Sequence, residues 1–428
     1  MTNSDNTLNH TPADKKERFI LAGVCRGLRD TLSDTTEESM KELEELVKTA
    51  GGEAAASVVQ NRAELESATY MGEGKLEEIK NAIETLEADS IVFDDELSPV
   101  QLRNISDILG IKVLDRSMLI LDIFAMRAKT SEGKLQVELA QLKYRLPRLR
   151  GFGTEMSRTG AGIGTRGPGE TRLESDRRHI RRRIAALEDE IEKLKKRRGL
   201  LRSRRKKDGV VTAALVGYTN AGKSTLLNTL TDAGVFAENK LFATLDPTSR
   251  GITLGDNRRI LLVDTVGFIR KLPHNLIEAF KSTLEEAAEA DILLHVIDAS
   301  SPVAQEQVEV AEGVLDEIGA SGKPTIGILN KCDILPYEPV IRGSFDVSVA
   351  ISAKRRINID RLIKAIEDTA PGKKRRVTVL LPYSMGAEVS ALHADQKILD
   401  EEYTPDGTRI TLLADSAAYE RIRDFVVE

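Results

Sequence analysis

Residues 217–224 read Gly-Tyr-Thr-Asn-Ala-Gly-Lys-Ser, and this octapeptide decides the fold of the central part of the chain. It follows the apolar run VVTAALV and opens the run KSTLLNTL, which gives a strand–loop–helix context. The pattern GxxxxGKS in that context is typical of a phosphate-binding loop, because its glycines let backbone N–H groups point at an anion from a helix N-terminus. Lys223 would add a positive charge beside the β- and γ-phosphates, and the Ser224 hydroxyl would take one Mg²⁺ position. The pattern therefore predicts a doubly wound P-loop domain over residues 209–371.

Two motifs further along the chain select the base of the nucleotide. Asn330-Lys331-Cys332-Asp333 follows the run PTIGIL, and Asp333 can accept hydrogen bonds from the N1–H and the 2-amino group of guanine. Adenine has neither donor, so a carboxylate at this position would be left unpaired against it. Ser352-Ala353-Lys354 follows the run DVSVAI and fits a loop whose backbone contacts the guanine carbonyl. The sequence therefore predicts that the chain binds GTP and GDP.

The segment between the P-loop and these motifs supplies further phosphate and metal contacts. Asp264-Thr265-Val266-Gly267 ends the run RRILLV, which places Asp264 to hold a water on Mg²⁺ and the Gly267 amide to contact the γ-phosphate. Thr244, within Phe242-Ala243-Thr244-Leu245-Asp246, is the candidate for a second hydroxyl on Mg²⁺. Phe268 stands where many GTPases have a water-orienting glutamine, so we expect slow intrinsic hydrolysis that a partner or another residue completes.

Together these motifs give a complete candidate site. We assign catalytic roles to Lys223, Thr244 and Gly267, and Mg²⁺ positions to Ser224, Thr244 and, through a water, Asp264. Asn220 allows two interpretations: it helps to hold a K⁺ ion beside the phosphates, or it hydrogen-bonds within the loop. The predicted nucleotide contacts are Gly217, Tyr218, Thr219, Asn220, Ala221, Gly222, Lys223, Ser224, Thr225, Phe242, Ala243, Thr244, Leu245, Asp246, Asp264, Thr265, Val266, Gly267, Asn330, Lys331, Cys332, Asp333, Ser352, Ala353 and Lys354.

The composition indicates a globular chain with one strongly basic part. A length of 428 residues favours about three domains. Cys25 and Cys332 are too far apart for a CxxC metal site, the N-terminus lacks an apolar signal-peptide core, and no apolar run reaches the ~18 residues that span a bilayer. We therefore expect a cytoplasmic protein without membrane insertion. Residues 141–208 contain 22 Lys+Arg against 9 Asp+Glu, a balance of +13 in a chain of net charge −6, which favours a local polyanion contact.

Two heptad stretches in the basic part predict an antiparallel helical hairpin over residues 131–208. Pro147 should end or kink the first helix near Leu146. The loop 151–170 contains seven glycines and would form the tip of the hairpin. The heptad positions are Leu135, Leu139, Leu142, Leu146 and Leu149 in the first helix and Ile180, Ile184, Leu187, Ile191 and Leu194 in the second.

The hairpin tip has two interpretations. A loop with few bulky side chains can enter a narrow RNA cavity while arginines lie along the phosphates. The alternative is a solvated helix face with salt bridges and a linker, which most charged runs are. The charge balance favours RNA, and the candidate contacts are Arg158, Arg166, Arg172, Arg177 and Arg178.

The whole chain reads as an α/β multidomain protein. We expect a disordered tail over residues 1–16, an N-terminal parallel α/β domain over 17–130 and a small ferredoxin-like α+β domain over 372–428. Gly72-Glu73-Gly74-Lys75 resembles a phosphate loop but lacks its length, and we interpret it as the start of a helix.

The motifs GYTNAGKS, FATLDPT, DTVGF, NKCD and SAK resemble the translation-factor-related GTPases. With GAGIGTRGPGETRLESDRRHIRRRI and DTVGFIRKLPHNLIEAFKSTLEEA, almost the whole chain resembles the HflX family. The resemblance implies a GTPase that binds the large (50S) ribosomal subunit and its 23S rRNA and splits stalled or idle 70S ribosomes. It also raises the hypothesis of an ATP site in the N-terminal domain. We expect the chain to be a monomer. Two alternatives stay open: a GTP-gated rRNA assembly chaperone without splitting activity, and ATP-dependent RNA remodelling through the N-terminal domain.

Overall fold

A computed structural model describes residues 16–27, 36–149, 168–207, 210–231, 241–242, 248–255, 258–272, 284–371, 375–414 and 416–427. Within these residues the chain forms a four-stranded, a six-stranded and a three-stranded sheet, with a helical hairpin between the first two. The α/β multidomain fold class is therefore confirmed. None of the helices described in this structure is both long and apolar enough to cross a membrane.

The N-terminal part is a parallel sheet with both faces covered. Its elements are β1 (Arg18–Cys25), α1 (Glu37–Thr49), β2 (Glu53–Asn61), α2 (Glu73–Leu86), β3 (Ser90–Phe93), α3 (Pro99–Leu109), β4 (Lys112–Asp115) and α4 (Arg116–Arg127). The strand order is β2-β1-β3-β4, and all three pairings are parallel. Phe19 and Leu21 of β1 enter one hydrophobic cluster and Ile20 and Ala22 enter another, so both faces of the sheet are buried. The side chains of Thr36, Ser98 and Asp115 each accept an N–H in the first turn of α1, α3 and α4, which stabilises those helix starts.

The hairpin consists of α5 (Ser131–Arg148) and α6 (Pro168–Lys207). Arg198, near the end of α6, pairs at 2.9 Å with Glu132 at the start of α5, as an antiparallel arrangement requires. The predicted heptad positions of α6 are buried or half-buried. The first helix ends close to the predicted position, because α5 continues only one residue beyond Pro147, to Arg148. A proline cannot donate a backbone hydrogen bond, so it is tolerated in the last turn and disfavours further helix.

The first hairpin helix has two packed faces. Leu135, Leu142, Leu146 and Leu149 are half-buried, whereas Val137, Ala140 and Tyr144 join the hydrophobic cluster that contains Leu21 and Leu114 of the N-terminal sheet. The heptad pattern therefore missed the second face of α5. Packing continues across residue 130, where the sequence favours a domain boundary.

The central part is built on a six-stranded sheet. It contains β5 (Val211–Val216), α7 (Lys223–Thr231), β6 (Thr248–Thr253), β7 (Arg259–Asp264), β8 (Ile292–Asp298), α8 (Ala304–Glu317), β9 (Thr325–Asn330), β10 (Val347–Ala350) and α9 (Ile359–Thr369). The order is β10-β9-β8-β5-β7-β6, and β6 alone among these strands runs antiparallel to its neighbour. The GxxxxGKS, DTVG, NKCD and SAK motifs follow β5, β7, β9 and β10, so they meet at the carboxyl edge of the sheet.

The C-terminal part is a small α+β unit. β11 (Arg375–Leu381), α10 (Gly386–Asp395), β12 (Lys397–Thr404), β13 (Gly407–Ala414) and α11 (Ser416–Ile422) follow the predicted β-α-β-β-α order. The sheet is antiparallel with the order β11-β13-β12. Val426 then pairs with Val379, and the Val427 amide donates to the Thr378 carbonyl at 2.8 Å. This short pairing adds the last β element of a ferredoxin-like arrangement.

Candidate nucleotide site

The loop 217–224 depends on two glycines. Gly217 has φ +137° and Gly222 has φ +98°, a region that side-chain-bearing residues rarely adopt. A Cβ on Gly217 would lie 2.1 Å from the Val296 carbonyl oxygen, and one on Gly222 would lie 2.3 Å from the Asn330 side-chain nitrogen. Both contacts forbid a side chain, so the loop can fold this closely against β8 and β9 only with glycine at these positions.

Lys223 is buried at the start of α7 and is held by the loop itself. Its ammonium group donates to the Gly217 carbonyl at 2.9 Å and to the Tyr218 carbonyl at 2.8 Å. An ammonium has three donors, so one remains for a phosphate oxygen. Burial lowers the pKa of Lys223 to about 8, although Asp264 opposes the shift.

This pKa predicts proton uptake on nucleotide binding. A phosphate favours the charged ammonium, so binding above pH 8 must protonate Lys223. We expect the affinity for GDP to fall about tenfold between pH 7 and pH 9. Calorimetric titrations in two buffers of different ionisation enthalpy would measure the proton uptake directly. Lys223→Arg keeps its charge over this range and should abolish the uptake. Equal heats in both buffers at pH 8.5 for the unmodified chain would contradict the prediction.

Ser224 and Asp264 form an oxygen-rich pair beside this lysine. The Ser224 hydroxyl donates to Asp264 Oδ2 at 2.8 Å, and Asp264 is buried. Mg²⁺ prefers oxygen ligands and keeps several of its waters, so a hydroxyl next to a carboxylate fits this ion. Thr244, the predicted third position, lies outside the described residues with Ala243, Leu245 and Asp246.

Phe268 is fixed against the P-loop by its backbone. Its amide donates to the Gly217 carbonyl at 3.0 Å, and its carbonyl accepts the Thr219 amide at 2.7 Å. The ring is 1% exposed and packs with Tyr218 in a hydrophobic cluster. Gly267 lies so close that a Cβ there would be 2.9 Å from the Lys223 ammonium nitrogen. Phe268 therefore orders the DTVGF segment (Asp264–Phe268), and its side chain takes no part in orienting water.

The base-reading motifs are joined to the P-loop by Asn330. Its side chain donates to the Ala221 carbonyl at 2.8 Å and accepts the Ala353 amide at 3.0 Å, which connects all three loops. Lys331, at φ +65°, pairs with Asp298 at the end of β8 at 2.5 Å. A hydrogen bond from Ser352 lowers the pKa of Asp333, and Arg355 adds to the effect from 3.2 Å. Asp333 is thus a charged acceptor, as reading guanine requires.

The other predicted nucleotide contacts differ in exposure and in their hydrogen bonds. Asn220 is exposed on the loop at φ +60°. The Thr265 hydroxyl donates to the Leu215 carbonyl at 2.7 Å, and the Thr225 carbonyl accepts the Thr229 hydroxyl at 2.9 Å. Cys332 donates its amide to the Ile351 carbonyl at 3.0 Å, and burial raises the pKa of its thiol. Lys354 is exposed.

Tyr218 differs from the expectation for a nucleotide contact. Its hydroxyl lies 2.8 Å from Glu42 Oε2 in α1 and accepts the Arg270 amide at 2.7 Å, so the side chain points into the N-terminal part. Phe242 behaves similarly, because its ring packs edge-to-face on Phe124 with centroids 4.7 Å apart. Val266 also belongs to the hydrophobic cluster of the N-terminal sheet. The side chains of Tyr218 and Val266 therefore connect the P-loop and the DTVGF segment to the N-terminal part.

A buried charge network forms the polar centre of that connection. Arg116, 1% exposed, donates to Asp94 Oδ1 at 2.7 Å and to the Arg270 carbonyl at 3.2 Å, and lies 3.2 Å from Glu42 Oε1. Lys271 pairs with Asp94 at 2.7 Å. Burial would raise the pKa of Asp94, but Arg116 and Lys271 outweigh it and hold that pKa below its usual value. Burial raises the pKa of Glu42 despite Arg116.

Sequence reasoning missed this network because its members come from separate elements. Arg116 follows the short strand KVLD, and Lys271 follows DTVGF by three residues within the longer family stretch, so neither belongs to a nucleotide-binding motif. One available signal was Arg116 itself, a charged residue between two apolar runs. Such a residue needs a buried partner.

The predicted RNA contacts are partly described. Arg158 and Arg166 lie outside the described residues, as does the side chain of Arg172. Arg177 is half-buried in α6 and Arg178 is exposed. Several other cations of the basic block are paired within the chain: Arg183 with Glu138, Lys195 with Glu285, Arg198 with Glu132 and Arg202 with Glu286.

Family models match three consecutive parts of the chain. A model described as GTP-binding GTPase N-terminal matches residues 37–125, and one described as GTP-binding GTPase Middle Region matches 127–205. A third, described as 50S ribosome-binding GTPase, matches 212–331. A solved GTP-binding protein from Sulfolobus solfataricus in complex with GDP is 28% identical, with 82% of this chain and 98% of that chain covered at a TM-score of 0.44.

The doubly wound sheet, the P-loop and the guanine-type loops define this protein as a P-loop GTPase, an enzyme that hydrolyses GTP. The GTPase HflX of Caldanaerobacter subterraneus subsp. tengcongensis is 49% identical over 415 residues, covering 97% of this chain and 95% of the relative. The GTPase HflX of Escherichia coli is 44% identical over 379 residues, covering 88% and 89%. The chain belongs to the HflX family of GTPases.

Proposed function

We propose that the GTP-bound chain engages the large ribosomal subunit and dissociates 70S ribosomes, and that GTP hydrolysis releases it. The observation that carries the proposal is the direct attachment of an arginine-rich hairpin to the GTPase part through paired charges on α6. The family model matching 212–331 is described as 50S ribosome-binding GTPase, which supports the same partner. We also propose that the chain acts in the cytoplasm and as a monomer.

The nucleotide chemistry follows from the candidate site. Lys223 and the loop amides would hold the β- and γ-phosphates, the Gly267 amide would contact the γ-phosphate, and Asp333 would read guanine. Ser224, Thr244 and, through a water, Asp264 would hold Mg²⁺, which neutralises charge on the phosphates. Because the Phe268 side chain is buried and has no hydrogen-bonding group, the attacking water needs another group to orient it. A ribosomal group or another residue of the chain would orient the water, and a K⁺ ion beside Asn220 would stabilise the charge of the transition state.

The hairpin would supply the RNA contact. Arg178, Arg181 and Arg182 are exposed on α6 and line a shallow groove of about 530 Å³ with Glu174 and Ser175. This groove adjoins the glycine-rich tip in sequence, where Arg158, Arg166 and Arg172 complete the proposed contact set with Arg177. Phosphate contacts of this kind make binding salt-dependent.

The N-terminal part offers less support for an ATP site at residues 72–75. The Gly72 amide donates to the Gln60 side chain at 3.0 Å, and Lys75 pairs with Glu78 at 2.5 Å. The Gly72 amide is therefore already hydrogen-bonded within the chain, and the start of α2 at Glu73 accounts for the turn. ATP binding elsewhere in this part remains a hypothesis.

Density-gradient sedimentation of purified 70S ribosomes tests the proposal. With the chain added, we expect 70S particles to separate into subunits with GTP and with a non-hydrolysable GTP analogue, but not with GDP. The Lys223→Ala variant, which lacks the phosphate-binding ammonium, should leave the particles intact. If 70S particles persist while the chain co-sediments with free large subunits, the assembly-chaperone function replaces splitting.

A further inference from the structure

The helical residues 284–289 lie between the nucleotide site and the hairpin. Leu284 and Ala287 are buried in the hydrophobic cluster that contains Tyr218 of the P-loop and Phe268 of the DTVGF segment. The neighbouring Glu285 and Glu286 contact α6. One helical turn therefore joins the hydrophobic cluster beside the phosphate-binding loop through two residues and contacts the hairpin through two others.

The contact with α6 consists of two acid–base pairs. Lys195 Nζ lies 2.6 Å from Glu285 Oε1, and Arg202 Nη2 lies 2.6 Å from Glu286 Oε1. Lys195 and Arg202 are seven residues apart, which places them on one face of the helix two turns from each other. The hydrogen bond that Lys195 donates to Glu285 raises the pKa of Lys195. Both cations are thus engaged within the chain.

The second pair is the better shielded of the two. The side chains of Arg202 and Glu286 are 21% and 11% exposed, whereas that of Lys195 is 50% exposed. Exposed pairs contribute little, but leaving one charge of a shielded pair without its partner is costly. The Arg202–Glu286 pair therefore carries most of the coupling between α6 and residues 284–289.

We propose that Arg202, assisted by Lys195, is a positioning residue for GTP hydrolysis. It holds residues 284–289, whose Leu284 and Ala287 share a buried hydrophobic cluster with Phe268, and Phe268 adjoins Gly267, which lies close to Lys223. The connection would act in both directions, because a displacement of Gly267 by the γ-phosphate would disturb the cluster that Phe268 shares with Leu284, next to the acids that pair with α6. Its effect on RNA contact rests on the proposed function, whereas its effect on hydrolysis does not.

A charge exchange in the full-length chain tests the proposal. We expect R202E and E286R each to lower the single-turnover rate of GTP hydrolysis about fivefold or more, with the dissociation constant for GDP changed less than about twofold. The double variant R202E/E286R restores the ion pair in reverse and should recover the rate to within about twofold. K196E makes the same charge change on α6, where Lys196 is exposed and pairs with Glu192 of the same helix, and it should leave the rate unchanged.

Two results would overturn the proposal: single variants that behave like K196E, or a double variant whose rate loss equals the product of the two single losses. If R202E does not fold, as judged by thermal unfolding, Arg202→Gln provides the same comparison with a smaller perturbation. Measurements without ribosomes test the positioning role. The same measurements with added large subunits test the proposed ribosomal function. If R202E and E286R lower the rate but the subunits change the rate of no chain, only the proposed ribosomal function is contradicted.

Discussion

Replacing Asp333 with asparagine is expected to lower the affinity for GDP and GTP more than about a hundredfold and to transfer the preference to xanthine nucleotides. The carboxylate would accept two hydrogen bonds, from the N1–H and the 2-amino group of guanine. An asparagine offers one acceptor and one donor group, so the 2-amino group would face an N–H. Xanthine carries a carbonyl at that position and pairs with the asparagine instead. Competition between GDP and XDP for the purified variant measures the change.

The comparison of two bases on one variant provides its own control. A general loss of folding would weaken GDP and XDP alike, whereas a change of base reading reverses their ratio. Arg355 lies 3.2 Å from Asp333 and is exposed, so Arg355→Ala should alter GDP affinity by less than about threefold. An Asp333→Asn variant that still prefers GDP tenfold or more would show that another group reads the base.

The positions of the nucleotide motifs could be predicted from the sequence because each follows an apolar strand. Asp264, Asn330 and Ser352 come at the ends of β7, β9 and just after β10, and the carboxyl ends of parallel strands meet at one edge. Local order along the chain therefore determined spatial proximity. The role of Asn330 needed the structure, because its side chain connects three loops that are over 20 residues apart.

Tyr218 has a second contact that local order could not predict. Its place in the P-loop predicts a nucleotide contact, which stays a prediction, and its hydroxyl reaches Glu42, 176 residues earlier. The period of an apolar pattern indicates which face of an element is buried and cannot indicate which distant element covers it. The same limit applies to α5, where the heptads predicted the face toward α6 and missed Val137, Ala140 and Tyr144 on the face toward the N-terminal sheet.

The basic block illustrates a second limit. Its charge balance of +13 favours a polyanion contact, but net charge does not distinguish a cation facing solvent from one paired within the chain. Lys195 and Arg202 pair with Glu285 and Glu286, which lie more than 80 residues further along the chain. The RNA-contact proposal therefore rests on the part of α6 near the tip, where Arg178 is exposed.

The other large effect is expected from the buried network between the N-terminal and GTPase parts. Arg116→Met should lower the free energy of unfolding by about 3–5 kcal/mol, because it leaves the buried carboxylates of Asp94 and Glu42 without their shared cation. Lys271 still pairs with Asp94, so Glu42 takes most of the loss. Denaturant unfolding followed by circular dichroism, with hydrogen exchange of β3 to localise the change, measures the effect.

The control for Arg116→Met is Arg103→Met, because Arg103 is 37% exposed and its pair with Asp107 spans 3.7 Å on one helix, so the loss should stay below about 0.5 kcal/mol. Adding Glu42→Gln to Arg116→Met removes the unpaired carboxylate and should recover part of the stability.

The loss of stability in Arg116→Met should also depend on pH. Burial already holds the pKa of Glu42 above its usual value, and losing Arg116 raises it further. The folded variant then binds a proton that the unfolded chain does not, so its stability falls as the pH rises through that pKa and the deficit grows from pH 5 to pH 8. A pH-independent deficit, or one that Glu42→Gln does not reduce, would show that Arg116 acts through packing rather than charge.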